Sequence, residues 1–210
     1  MNWYNLFSSF YDLSIEGIYK KSRQEVFSML ATEHVSCVLD LACGTGQNFP
    51  HLVERFGTET QILGIDLSPG MLAKAQKRID KKGWENVSLL EVDARQLNQE
   101  AIDAHLGKAT PIHCIVSTLA LVVIPNWEKV FHTLFDLLSP GGQFLMMEVY
   151  AKRKVPQTYY TDLIARADLK RKVWEPLEKV SERFDRKELK GSPHLHGGTL
   201  YVASGFKKVL

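Results

Sequence analysis

Five short apolar runs punctuate the chain: Val35–Asp40, Gln61–Asp66, Val87–Asp93, His113–Ser117 and Gln143–Val149. Each has the length of a strand, and the segments between them near 46–56, 69–82 and 127–138 place apolar residues at helical spacing. Strands and helices in alternation predict parallel pairing through right-handed crossovers, hence an α/β fold with a doubly wound sheet. The strands are apolar at consecutive rather than alternate positions, which fits a sheet covered on both faces. Residues 1–34 read as helical, with Val26, Phe27, Leu30 and Ala31 at helical spacing behind an aromatic stretch that includes Phe7, Phe10, Tyr11 and Tyr19. Residues 152–190 read as highly charged and mostly helical, and Gly198–Ser204 as a closing strand.

Composition narrows the class. At 210 residues the pattern fits one domain over 1–210, divided into a helical segment (1–34), a core (35–150) and a helical insertion with the final strands (151–210). Lys and Arg number 26 against 24 Asp and Glu, a net charge of +2, which argues against a dedicated nucleic-acid binder. Cys37, Cys43 and Cys114 are odd in number and lack metal-ligand spacing, so a reducing compartment and no metal site are expected. The N-terminus has no basic and apolar leader, and no run approaches 18 apolar residues. A cytoplasmic protein is the expectation.

In open α/β sheets ligands bind beyond the carboxyl ends of the strands. The first strand ends in Asp40-Leu41-Ala42-Cys43-Gly44-Thr45-Gly46. The two glycines allow a tight turn and close backbone approach to a ligand, and the following helix start offers free N–H groups. Twenty residues after Gly46, Asp66 closes the second strand, at the distance where a carboxylate accepts the hydroxyls of a ribose. Asp93 after the third strand can accept from an adenine amino group. Alone, the glycines would serve a structural turn, Asp66 a helix cap and Asp93 a loop; together they describe an adenosine site. A dinucleotide fingerprint would need a third glycine, where Phe49 stands. Asp40 would repel a pyrophosphate but suits an ammonium group. S-adenosylmethionine has the adenosine, the ammonium and a cationic sulfonium.

Asp40–Gly46, Gly64-Ile65-Asp66-Leu67-Ser68-Pro69-Gly70-Met71-Leu72 and Ser139-Pro140-Gly141-Gly142 together resemble the class I S-adenosylmethionine-dependent methyltransferases over roughly 35–150. The resemblance implies a Rossmann-like, seven-stranded sheet whose last strand is antiparallel. It implies Asp66 at the ribose, Asp93 at the adenine edge, and Gly44 and Gly46 at the methionyl side. Asp40, Ala42, Cys43, Asn48, Leu67, Met71, Ala94 and Ser117 complete the expected cofactor-binding set. Ala42 stands where many members have Gly, and Cys43 beside it, departures of little expected consequence.

After the fourth strand, Ser117–Pro125 lacks the Asn/Asp-Pro-Pro-aromatic motif of base-methylating members, which points away from nucleic acid. The N-terminal Phe10-Tyr11-Asp12-Leu13 and Tyr19-Lys20-Lys21-Ser22-Arg23 resemble the lid of lipid and quinone methyltransferases, with Tyr11 and Tyr19 as candidate catalytic aromatics. The tail (Arg166-Ala167-Asp168, Trp174-Glu175-Pro176-Leu177, His196–Gly205) resembles enzymes that N-methylate lipid headgroups. Tyr11, Tyr19, Tyr150, Tyr159 and Trp174 are the aromatics available to face a growing ammonium charge. His194 and His196 are the nearest bases for an oxygen acceptor. The expectation is a methyltransferase of a lipid amino headgroup, in peripheral contact with a membrane through Lys152-Arg153-Lys154 and Lys170-Arg171-Lys172. Alternatives are a soluble small-molecule acceptor such as an amine or quinone, a non-catalytic S-adenosylmethionine-binding subunit, and transfer of the aminocarboxypropyl group.

Overall fold

Seven strands form one sheet in the computed structural model, which describes residues 19–189 and 197–209. They are β1 (Cys37–Leu41), β2 (Gln61–Asp66), β3 (Val87–Glu91), β4 (Ile112–Thr118), β5 (Leu138–Tyr150), β6 (Glu182–Glu188) and β7 (Thr199–Phe206), in the order β3-β2-β1-β4-β5-β7-β6. β1 to β5 are parallel, and β7 runs antiparallel to both β5 and β6. Strand order reverses between β1 and β4, which puts the switch point at the carboxyl ends of those two strands. β1 is buried at all five residues, as a central strand covered on both faces requires.

The helices are α1 (19–27), α2 (Phe49–Phe56), α3 (Pro69–Lys82), α4 (Gln99–Leu106), α5 (Trp127–Leu137), α6 (Pro156–Ala165) and α7 (Trp174–Val180). Their ends follow local chemistry. The Ser68 hydroxyl accepts from the Met71 N–H at 3.3 Å to start α3, and Gly83 ends it in the left-handed region. Asn98 and Gly107 bound α4 in the same way. That helix went unrecognised in the pattern despite these signals, because it is short and buries only Ile102.

Two other expectations fail. The N-terminal helix stops at residue 27 rather than running to 34; Val26, Phe27 and Leu30 are buried, and the chain then turns toward the sheet. Gln143, buried on β5, holds that turn: its Nε2 donates to the Met29 carbonyl at 3.2 Å and its Oε1 accepts from the Ala31 N–H at 2.8 Å. Residues 182–188, read as part of a helical stretch, form the edge strand β6. Its dense charge is what an edge strand uses against stray pairing, and it hides the strand from a periodicity test. The Ser139–Gly142 turn lies within the span of β5, where pairing with β4 breaks register between Ile112 and Cys114. Tyr11, His194 and His196 lie outside the described residues.

Candidate cofactor and acceptor site

Residues 42–48 turn the chain from β1 into α2. Ala42, Gly44 and Gly46 all take positive φ, at 48°, 57° and 76°. A Cβ on Gly46 would stand 2.6 Å from the Phe49 ring, so only glycine lets that ring seat beneath the turn. Ala42 carries a cost of about 1–2 kcal/mol for left-handed backbone; the departure from glycine there is not neutral. The turn forms one wall of a cavity of about 580 Å³ at the carboxyl edge of the sheet, with Ala42, Cys43, Gly44 and Asn48 facing it. Burial pushes the Cys43 thiol well above its ordinary pKa, so it is packed as a thiol rather than poised as a nucleophile.

Asp66 stitches two loops together at the cavity wall. Its Oδ2 accepts from the Gly44 N–H at 2.9 Å and its Oδ1 from the Ser68 N–H at 2.8 Å. Burial raises its pKa against the pull of the Ser68, Gly44 and Leu67 N–H groups. Three N–H groups on a carboxylate with four lone-pair sites leave one for a further donor, such as a ribose hydroxyl. Leu67, Met71, Asp93 and Ala94 face the same cavity. Asp93 forms an ion pair with Arg95, which holds its carboxyl below the usual range. An adenine amino group would have to share that carboxylate with the guanidinium.

Three expected contacts lie behind the wall rather than on it. Asp40 is fully buried on β1; its Oδ1 accepts from Asn48 Nδ2 at 2.8 Å, so Asn48 stands at the wall with Asp40 behind it. Asp40 Oδ2 is buried with no hydrogen-bond partner among the described atoms. Desolvation pushes this carboxyl up to about 7, against the Asn48 hydrogen bond and the charge of Arg23. Gly46 packs inward on Phe49. Ser117 is buried, and its hydroxyl donates to Glu148 at 3.5 Å, while its neighbour Thr118 faces the cavity. Successive strand side chains point to opposite faces, so a one-position difference decides between wall and core.

Tyr19 on α1, a candidate from the sequence, faces the cavity. Residues that the sequence did not single out complete the site. Arg23, one turn further along α1, also faces the cavity, and its Nε donates to Asn48 Oδ1 at 3.1 Å. Asn48 Nδ2 also donates to Thr118 Oγ1 at 3.0 Å, which ties α1, β1 and β4 together. Leu119, Ala120 and Val122 to Pro125 contribute an apolar wall. Glu148 holds it: Oε1 accepts from the Ala120 and Leu121 N–H groups at 2.9 and 2.8 Å. Desolvation pushes Glu148 up to about 8, and Oε2 has no hydrogen-bond partner among the described atoms. Its only sequence signal was a lone acid in an apolar strand. Arg171 Nη1 donates to the carbonyls of Leu121 and Ile124 at 3.0 and 2.8 Å, which places this guanidinium inside the site rather than on a basic surface patch.

Of the aromatics expected to face a cation, Tyr19 alone among the described ones lines the cavity. Tyr150 and Trp174 meet edge to face at 5.0 Å, and Trp174 meets Tyr201 in the same way, also at 5.0 Å. Tyr159 is 61% exposed on α6.

The residues present suit S-adenosylmethionine. Asp66 has a free lone pair at the wall, the backbone at Gly44 leaves open space, and Asn48 with the buried Asp40 gives a polar, acid-backed corner for an ammonium group. A family model of the methyltransferase domain matches residues 38–142. Over 131 residues the chain is 32% identical to an uncharacterized methyltransferase of Emericella nidulans, a stretch covering 60% of this chain and 46% of that one. Over 153 residues it is 27% identical to an aklanonic acid methyltransferase of a Streptomyces species, covering 70% and 66%. The chain thus spans between about half and two thirds of the length of these curated relatives. Its fold matches Haemonchus contortus phosphoethanolamine N-methyltransferase 2, solved in complex with S-adenosyl-L-methionine, at a TM-score of 0.70 and 16% identity over 97% of this chain and 60% of that one. With the family match spanning half of its residues and the strand ends arranged around an adenosine-shaped set of groups, the chain belongs to the class I S-adenosylmethionine-dependent methyltransferases.

Proposed function

We propose that the chain methylates the amino nitrogen of a small acceptor of the lipid-headgroup type, one that carries an anionic group beside the amine. The observation that carries this reading is the charge of the acceptor wall. Leu119, Val122, Val123, Ile124, Pro125, Val149 and Leu169 make it apolar, and Arg166 and Arg171 make it cationic, Arg171 in part balanced by Asp168 at 3.5 Å. Among the described lining residues the only carboxylates are Asp66 and Asp93, both at the cofactor end. An amine in such surroundings is held neutral by desolvation and by like charge, with its lone pair free. The arginines suit a phosphate or carboxylate on the same molecule. S-adenosylmethionine supplies an already activated methyl group. The chain's own residues need only align the acceptor, keep water out and leave the amine unprotonated. Tyr19 and Arg23 on α1 belong, in this reading, to a lid that covers the cofactor.

A second reading has its own support. The same arginines would keep an acidic oxygen ionised without a base, and one relative is named for methylating aklanonic acid. An assay with methyl-labelled donor separates the two. The panel holds phosphoethanolamine, vesicles of an ethanolamine-headed lipid, quinols and aromatic carboxylic acids. Amine methylation should rise with pH toward the acceptor's own pKa; acid methylation should be flat from pH 6 to about 9. S-adenosylhomocysteine must appear with the product. Methylthioadenosine in its place would mean aminocarboxypropyl transfer, and cofactor binding without turnover would mean a non-catalytic subunit.

A further inference from the structure

Helix α6 has two faces with different tasks. Thr158 is buried, and Thr161 and Ala165 line the cavity. Turned away from them, Val155, Tyr159 and Leu163 recur every four residues and are 38%, 61% and 76% exposed. Residues four apart share a helix face, so Tyr159 and Leu163 lie together, and Val155, the extended residue that caps α6, continues the apolar stripe beyond its first turn. The helix is fixed in this orientation: the Thr158 hydroxyl donates to the Gly197 carbonyl at 3.3 Å, and a Cβ on Gly197 would stand 2.5 Å from both Thr158 and Val155.

The turn that leads into the stripe is basic. From Ala151 to Thr161 the chain has Lys152, Arg153 and Lys154 and no acid. Lys154 pairs with Asp162 and lies 5.4 Å from the centre of the Tyr159 ring. Lys152 and Arg153 are exposed and line an open recess of about 490 Å³ beside Val155. Apolar side chains in a row with cations at one end match an anionic bilayer, where the stripe enters the interface and the cations meet phosphate. A stripe of about 12 Å is short for a stable dimer of chains meeting through α6.

We infer that α6 is a membrane-docking element, in which Val155, Tyr159 and Leu163 insert into an anionic phospholipid surface and Lys152 and Arg153 bind its headgroups. No helix among the described residues is long and apolar enough to span a membrane, so the contact is peripheral. The inference stands apart from the acceptor chemistry, because vesicle binding and methyl transfer are read separately.

The test is co-sedimentation of the full chain with phosphatidylcholine vesicles, with and without phosphatidylserine. The chain should sediment with the anionic vesicles at low salt and be released at high salt. Replacing Lys152 and Arg153 by Ala should weaken partitioning about fivefold for each charge, and Leu163→Asp about tenfold or more. Cofactor affinity by calorimetry and the thermal midpoint should not change in either variant, which separates docking from folding. The inference is overturned if the wild type stays in solution with anionic vesicles at low salt. Equal binding to neutral vesicles, or undiminished binding by Leu163→Asp, overturns it as well. So does a wild-type dimer that Leu163→Asp converts to monomer, since the stripe would then bind a second copy.

Discussion

Glu148 offers the sharpest test of how the acceptor wall is held. Its Oε1 accepts two N–H groups of the loop after β4, and the residue is fully buried. Glu148→Ala leaves both donors buried without an acceptor, at about 1–3 kcal/mol each. A total of about 2–6 kcal/mol is a large share of a typical stability of about 5–15 kcal/mol. Glu148→Gln keeps a carbonyl for the two donors and removes the ionisation, so it should lose less. The pH dependence sharpens the contrast. Burial raises the folded-state pKa to about 8, from an ordinary value of 4.5. Between those values the folded chain holds a proton that the unfolded chain has released, so the contribution of this group to stability is complete below pH 4.5 and is lost as pH rises through 8. The slope from one such group is at most about 1.4 kcal/mol per pH unit. Asp40 titrates in the same sense, so the informative quantity is the difference between wild type and the Gln variant. Urea unfolding from pH 5 to about 8.5 should give a shallower decline for Glu148→Gln. Because the loop forms the acceptor wall, Glu148→Ala should raise the acceptor KM far more than it weakens cofactor binding. Equal pH slopes in wild type and the Gln variant, or an Ala variant as stable as the Gln variant, would refute the reasoning.

Asp66→Ala should weaken S-adenosylmethionine binding by about 1.5–3 kcal/mol, the loss of a hydrogen bond to a charged acceptor; an unchanged dissociation constant by calorimetry rejects the ribose assignment. Ala42→Gly should raise the unfolding free energy by about 1 kcal/mol after the greater entropy of the unfolded glycine chain is subtracted, read as a higher urea midpoint; an unchanged or lowered midpoint means that the positive φ of 48° carries no strain. Amide exchange across residues 19–25 should slow on addition of S-adenosylhomocysteine, and identical exchange with and without it rejects α1 as part of a lid.

Much of the fold is local in origin and therefore legible along the chain. β2 spans Gln61–Asp66 and α3 spans Pro69–Lys82, the bounds that the apolar run, the Ser68 cap and Gly83 mark. The turn after β1 and the acids at 66 and 93 are set by spacing from strand ends, and spacing belongs to the sequence. Long-range contacts decided the rest. Arg23 meets Asn48 across 25 residues, Glu148 reaches back 28 residues to Ala120, and Arg171 reaches back 50 to Leu121. No local pattern encodes such pairs, because each depends on which elements the sheet order brings together. The order β3-β2-β1-β4-β5-β7-β6 sets β5 beside β4, and with it Glu148 beside the loop it pins. Asp40 and Ser117 carry the right chemistry at the right strand ends. Yet the pleat turns Ser117 into the core and leaves Thr118 at the wall, and the packing of α1 and α2 puts Asn48 between Asp40 and the cavity. Residue type and strand position are properties of the chain; which face of a strand meets the cavity is a property of the packed molecule.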